Sequence, residues 1–365
     1  MRESKFMFSE NGKISEKQLR RMLVLTTFAG TIFVIPYLGA RMFGKSVFIG
    51  LLVFLVMAVA YICGIYGIGA IIRKHNHEAG KPKWMSKALI IIQILRRLFH
   101  LVFYIILSIE ILGEAQVPFM EGNSTNSLLN IFVVLPLILV ALYGAGHNVE
   151  KMGRLYEMLF YAVFIPFIIM ILFGLNEVDY TIFIPQLDMP IMKILVYAYA
   201  LVFFLVPVEQ YLYLSSNIKE ERSTSYKALI GTVLLTVILS LFILGIYGIH
   251  GGASKEMITV DIMRYIRLPF GVLERFDVLM VWFFMLGCFI LICSSLFYAG
   301  EFFVKLKAGK KYLFFGVMIS VSFLLVYVLP DYRQSLWLYI FYGALVDIPL
   351  SLILPIVENI LLEEN

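Results

Sequence analysis

Apolar residues in this chain fall in long runs separated by short polar connections. Runs of roughly 18 residues or more, enough to cross about 30 Å of hydrocarbon at a helical rise of 1.5 Å per residue, recur from one end to the other. They lie near 19–42, 46–72, 86–112, 127–146, 155–175, 191–215, 226–249, 274–304, 311–329 and 335–362. In a bilayer each such run satisfies its own backbone as a helix. The pattern therefore predicts an all-α integral membrane protein of about ten transmembrane helices.

No polar stretch is long enough to hold a core of its own, so residues 19–362 are expected to form a single transmembrane domain behind an N-terminal arm, 1–18. Two longer connections, 176–190 and 250–273, follow spans five and seven and carry turn residues and charge. They read as partly helical caps over an outer vestibule. With five spans in each half, 19–176 and 191–362, the first helix of one half runs opposite to the first helix of the other, which is an inverted repeat. Both first helices contain breakers. Span one has Ala29, Gly30 and Thr31 followed by Pro36, and span six has Pro207 just ahead of Glu209. Glycine removes the Cβ constraint and proline lacks a donor N–H, so both helices are expected to break where unwound backbone meets a ligand.

Composition agrees, with 61% hydrophobic and 15% charged residues, a balance from which no water-soluble surface is built. Charge adds the orientation. The N-terminal arm and alternate loops hold 20 of the 30 Lys and Arg, against seven in the opposite loops, which places both termini in the cytoplasm. The net charge of +5 is then topological and gives no reason to expect nucleic acid. A polar N-terminus without a small-residue cleavage site leaves the first span as an anchor. Cys63, Cys288 and Cys293 fall in spans and read as small hydrophobes, and the lone His75-x-His77 pair lacks further ligands for a zinc site. With no nucleophile motif, phosphate-cradling loop or intramembrane metal-binding pair, neither an enzyme nor a cofactor is expected.

Buried polarity remains. Glu209 lies mid-span beyond a proline, where a carboxylate is costly unless paired, protonated or hydrated. It is either a proton-titrating or ligand group, or a scaffold that accepts hydrogen bonds from the N–H groups of the break. In span three, Gln93, Arg97, His100 and Tyr104 share one helix face and would line a cavity, while Arg96 and Arg97 are near enough to the cytoplasmic end to snorkel to the interface. Glu110 is expected at the outer mouth. Ser294 and Ser295 in span eight either join span-one carbonyls around a small cation or simply pack helices.

Four segments carry a family resemblance: the AGTIFVIP run of helix 1, the PVEQY run around Glu209, LERFDVLMVW with Glu274, Arg275, Phe276 and Trp282, and LPDYRQ with Pro330 and Asp331. In these the chain resembles the B subunits of spore germinant receptors, the GerAB-type germination permeases of the amino acid–polyamine–organocation transporter superfamily. It departs from them in having one glycine at the helix 1 break, flanked by Ala29 and Thr31, and Pro207 where glycine is usual. The resemblance implies a LeuT-like 5+5 inverted repeat with broken helices 1 and 6, and a small nutrient such as an amino acid bound between helices 1, 3, 6 and 8. On that footing Ala29, Gly30, Thr31, His100, Tyr104, Pro207 and Glu209 are the candidate ligand-binding residues. It also implies A-type and C-type partner subunits and a bacterial cytoplasmic or spore inner membrane. An autonomous proton- or sodium-coupled amino acid transporter is the alternative.

Overall fold

The computed structural model of the protein describes residues 13–74, 83–114, 128–214, 218, 225–262, 276–306, 311–329 and 331–360. Helices and short turns make up nearly all of it, with one isolated bridge between Ile14 and Ile218. Span one is α1 (Glu16–Ile32) and α2 (Ile35–Phe43), and spans two to five are α3 (Val47–Lys74), α4 (Lys83–Glu114), α5 (Leu128–Ala145) and α6 (Val149–Gly174). Span six is α7 (Ile191–Val202), a 3-10 segment (Phe203–Glu209) and α8 (Gln210–Leu214), followed by α9 (Ser225–Tyr247) as span seven. Two short outer helices, α10 (Ile249–Ser254) and α11 (Ile258–Asp261), precede α12 (Phe276–Leu306) and α13 (Lys311–Val328), which are spans eight and nine. Span ten is α14 (Tyr332–Tyr342), a π-helical segment (Gly343–Asp347) and α15 (Ile348–Ile360). Eight helical stretches among the described residues are long and apolar enough to cross a membrane. The 17-residue α1 and the shorter apolar run Phe132–Ala145 inside α5 complete the ten predicted segments.

Local chemistry explains the boundaries. The first helix starts three residues ahead of its apolar run because Ser15 and Gln18 form a capping box: the Ser15 hydroxyl accepts from the Gln18 N–H at 3.3 Å, and the Gln18 side chain accepts from the Ser15 N–H at 3.1 Å. Span one is interrupted at Phe33 and Val34 rather than at Gly30, which stays inside α1. Pro36 is the cause. In an unbroken helix its N–H would bond the Ile32 carbonyl; lacking that donor, it leaves the carbonyl free, and the Thr259 hydroxyl of α11 donates to it at 2.8 Å. The outer cap is thereby fastened to the interruption. Cap helix α10 packs on α2, and the turn at Asp179 is tied to the end of α9 by its N–H, which donates to the Gly245 carbonyl at 2.9 Å. The Asp179 carboxyl is held below the usual carboxylate range by the Thr181 N–H that it accepts.

The helices bury Phe28, Phe33, Phe54, Phe203 and Tyr211 between them and turn residues such as Phe132, Met158, Leu172 and Trp282 outwards, as lipid-facing surface requires. Cys288 and Cys293 are buried and Cys63 is exposed, all as free thiols. His75, His77, Glu274, Arg275 and Pro330 lie outside the described residues; Asp331 precedes α14 as its N-cap.

Candidate functional site

The centre of the molecule is an ion cluster. It joins α4 to the two irregular segments, the 3-10 turn of span six and the π-helical turn of span ten. Arg96 and Arg97 are each 2% exposed, and Glu209 and Asp347 are fully buried. Arg96 donates through Nη2 to Glu209 Oε2 at 2.9 Å and through Nε to Asp347 Oδ1 at 2.5 Å, while Arg97 Nη2 donates to Glu209 Oε1. The second oxygen of Asp347 faces His100 Nε2 at 3.0 Å, and His100 Nδ1 lies 2.5 Å from the Tyr339 hydroxyl. Gln93 closes one end, accepting from Arg96 at 3.0 Å and donating to the Tyr213 hydroxyl at 2.6 Å. Two guanidiniums balance two carboxylates, the condition under which charges persist inside a membrane protein. The 3-10 and π-helical turns each rotate their carboxylate out of ordinary helical register and towards α4.

Snorkelling of Arg96 and Arg97 is therefore corrected. Extending them to the interface would strand Glu209 and Asp347 without counter-charges, at several kcal/mol per ion. Of the two readings of Glu209, the scaffold one is not what the contacts show. The N–H of Gln210 bonds back to the carbonyls of Pro207 and Val208, and the Glu209 carboxylate turns to the arginines. Asp347 went unnoticed in the sequence, although it carries the same signal as Glu209, a carboxylate in the middle of an apolar span.

The remaining candidates surround the cluster without all touching it. Gly30 sits where span one crosses span six: a Cβ there would be 3.6 Å from both the Phe204 carbonyl oxygen and Leu291 Cδ2. Ala29 lines the α1–α12 contact opposite Gly287, and the Thr31 hydroxyl donates to its own helix at Thr27 and lies 3.2 Å from that of Thr236. His100 belongs to the cluster, and Tyr104 stacks on it at 6.0 Å between ring centroids. Pro207 lies within the 3-10 segment. Ser294 donates to the Leu291 carbonyl at 2.9 Å, and Ser295 is buried one residue further along α12. Glu110 is half-buried near the outer end of α4. No group of three or more His, Cys, Asp or Glu arranged to hold a metal occurs among the described residues. The Nε of Arg97 and the hydroxyl of Tyr298 are buried without hydrogen-bond partners among the described residues, and the guanidinium lies 5.6 Å from the Tyr298 ring centroid.

Comparison with known proteins agrees with this architecture. The solved structure of MhsT in complex with L-phenylalanine superposes with a TM-score of 0.68 over 92% of this chain and 87% of that one, at 15% sequence identity, and shows the fold to be LeuT-like. Spore germination protein YndE of Bacillus subtilis (strain 168) is 25% identical over 228 residues, 58% of this chain and 62% of YndE, so the match spans less than two thirds of that relative. The profile of the family described as Spore germination protein (Spore_permease) matches residues 13–331, ending before Asp347. A chain matched over nearly its whole length, with permease-like helices interrupted in spans one and six, belongs to the spore germination permease family.

Proposed function

We propose that this membrane permease-like germination protein is a nutrient sensor: it binds a small amino acid where spans one and six cross and passes the event to A-type and C-type receptor subunits. One observation carries the preference for sensing over ion-coupled transport. Both oxygens of Glu209 are engaged by guanidiniums, so the carboxylate expected to carry a coupling proton or cation is already neutralised by the protein's own charges. The contact of Gly30 with the Phe204 carbonyl supports the crossing as the ligand's place, because a ligand that parts the two helices there would touch the segment that presents Glu209. An amino acid as ligand class is supported by the L-phenylalanine bound in MhsT, and a cytoplasmic or spore inner membrane with the basic loops on its cytoplasmic side is the matching location proposed for the chain. Binding, rather than chemical conversion, is the activity.

The test uses the full chain in proteoliposomes with a panel of radiolabelled amino acids, L-phenylalanine first. The expected result is saturable binding without accumulation under an imposed proton or sodium gradient. Gly30→Leu should abolish binding and Gly30→Ala keep it, since a Cβ fits the space and a branched side chain does not. Gradient-driven accumulation would establish the transporter alternative.

A further inference from the structure

A second site lies at the polar end of span one, independent of the nutrient reading. Lys17, Arg20, Arg21 and Val24 share one face of α1, and Ala228, Gly231, Thr232 and Leu235 share one face of α9 by the same spacing. Between these faces, with Phe160 of α6 as a wall, is a groove of about 340 Å³. Small residues open it: a Cβ built on Gly231 meets no atom within 4 Å. Its walls are mainly apolar and its mouth is cationic.

The cations differ in their state. Arg21 is buried, ion-paired to Glu157, bonded to the Tyr161 hydroxyl at 3.0 Å and lies 5.4 Å from the Phe160 ring centroid. Lys17 and Arg20 are exposed and make no ion pair among the described residues. A small free anion would answer their charge but leave Val24, Leu235 and Phe160 uncovered, whereas a neutral lipid would cover the wall and leave the charge. We infer that the groove binds one anionic phospholipid, with its phosphate on Lys17 and Arg20 and an acyl chain along Val24, Leu235 and Phe160. Basic pockets between membrane helices are suited to such headgroups.

The experiment is native mass spectrometry of the solubilised full chain titrated with phosphatidylglycerol, with phosphatidylcholine as the neutral comparison. Lys17→Gln and Arg20→Gln are each expected to weaken phosphatidylglycerol binding roughly fivefold, and together about thirtyfold. Both residues are exposed, so folding is not at stake. Gly231→Trp should exclude the lipid, and Ala228→Leu should do so if the tryptophan variant melts early. Lys151, exposed at the same end of the bundle, is the control: Lys151→Gln should leave binding unchanged. Equal weakening by Lys151→Gln would reduce the effect to diffuse surface attraction, and unchanged binding in both groove-filling variants would overturn the location. Displacement of the lipid by an equal concentration of inorganic phosphate would replace it with a small-anion site.

Discussion

Glu209 and Asp347 occupy positions where a lone carboxylate would be intolerable, and each is held by Arg96. Removing one partner of such a buried pair leaves an uncompensated charge and costs about 3–5 kcal/mol. Glu209→Gln is accordingly expected to lower the melting temperature about as much as Glu209→Ala, because glutamine's oxygen accepts a hydrogen bond but does not balance two guanidiniums. Adding Arg97→Met to Glu209→Gln should recover part of the loss. A wild-type melting curve for Glu209→Gln would show that the ion pairs do not hold the helices. The sequence reveals Glu209 through the nearby Pro207, whereas it points Arg96 and Arg97 to the interface, because distance from the helix end is the only quantity it offers for them. What decides is where the acids of other helices stand, and linear sequence does not display that.

Helices were the more legible scale. Every predicted span has a helical counterpart, since the length of an apolar run is fixed by hydrocarbon thickness. The kinds of interruption were less so. Span one breaks beyond Gly30 because the missing proline donor, not glycine's freedom, sets the position. The π-helical turn of span ten is not legible in the sequence, and it packs against a neighbour far along the chain: a Cβ on Gly343 would lie only 2.1 Å from Phe203 Cγ. The two irregular segments thus nest through an absent side chain. Gly343→Ala is expected to destabilise the protein by about 1–3 kcal/mol, the usual cost of overpacking, and Phe203→Leu to relieve part of it in the double variant. Additive melting shifts for the two changes would separate these segments.

At the scale of the molecule, ten spans with both ends on one side make a claim about access. In a Cys63→Ala background, single cysteines at Lys13 and Lys151 should react with an impermeant thiol reagent from one side, and one at Ser254 from the other. Shared labelling of Lys13 and Ser254 would break the span count, while a reversed pattern would keep the count and invert the orientation read from the basic loops. The central cluster has a consequence for the membrane potential. A charge moved through the field gains about 2.3 kcal/mol per 100 mV, but two guanidiniums and two carboxylates that shift together carry no net charge and do no electrical work. Ligand binding in vesicles clamped by potassium and valinomycin should thus be the same at zero and at strongly negative potential. Glu209→Gln, which leaves one positive charge unbalanced, should make it voltage-dependent in proportion to how far the cluster travels. Voltage dependence in the wild type would show that the moving part carries a net charge.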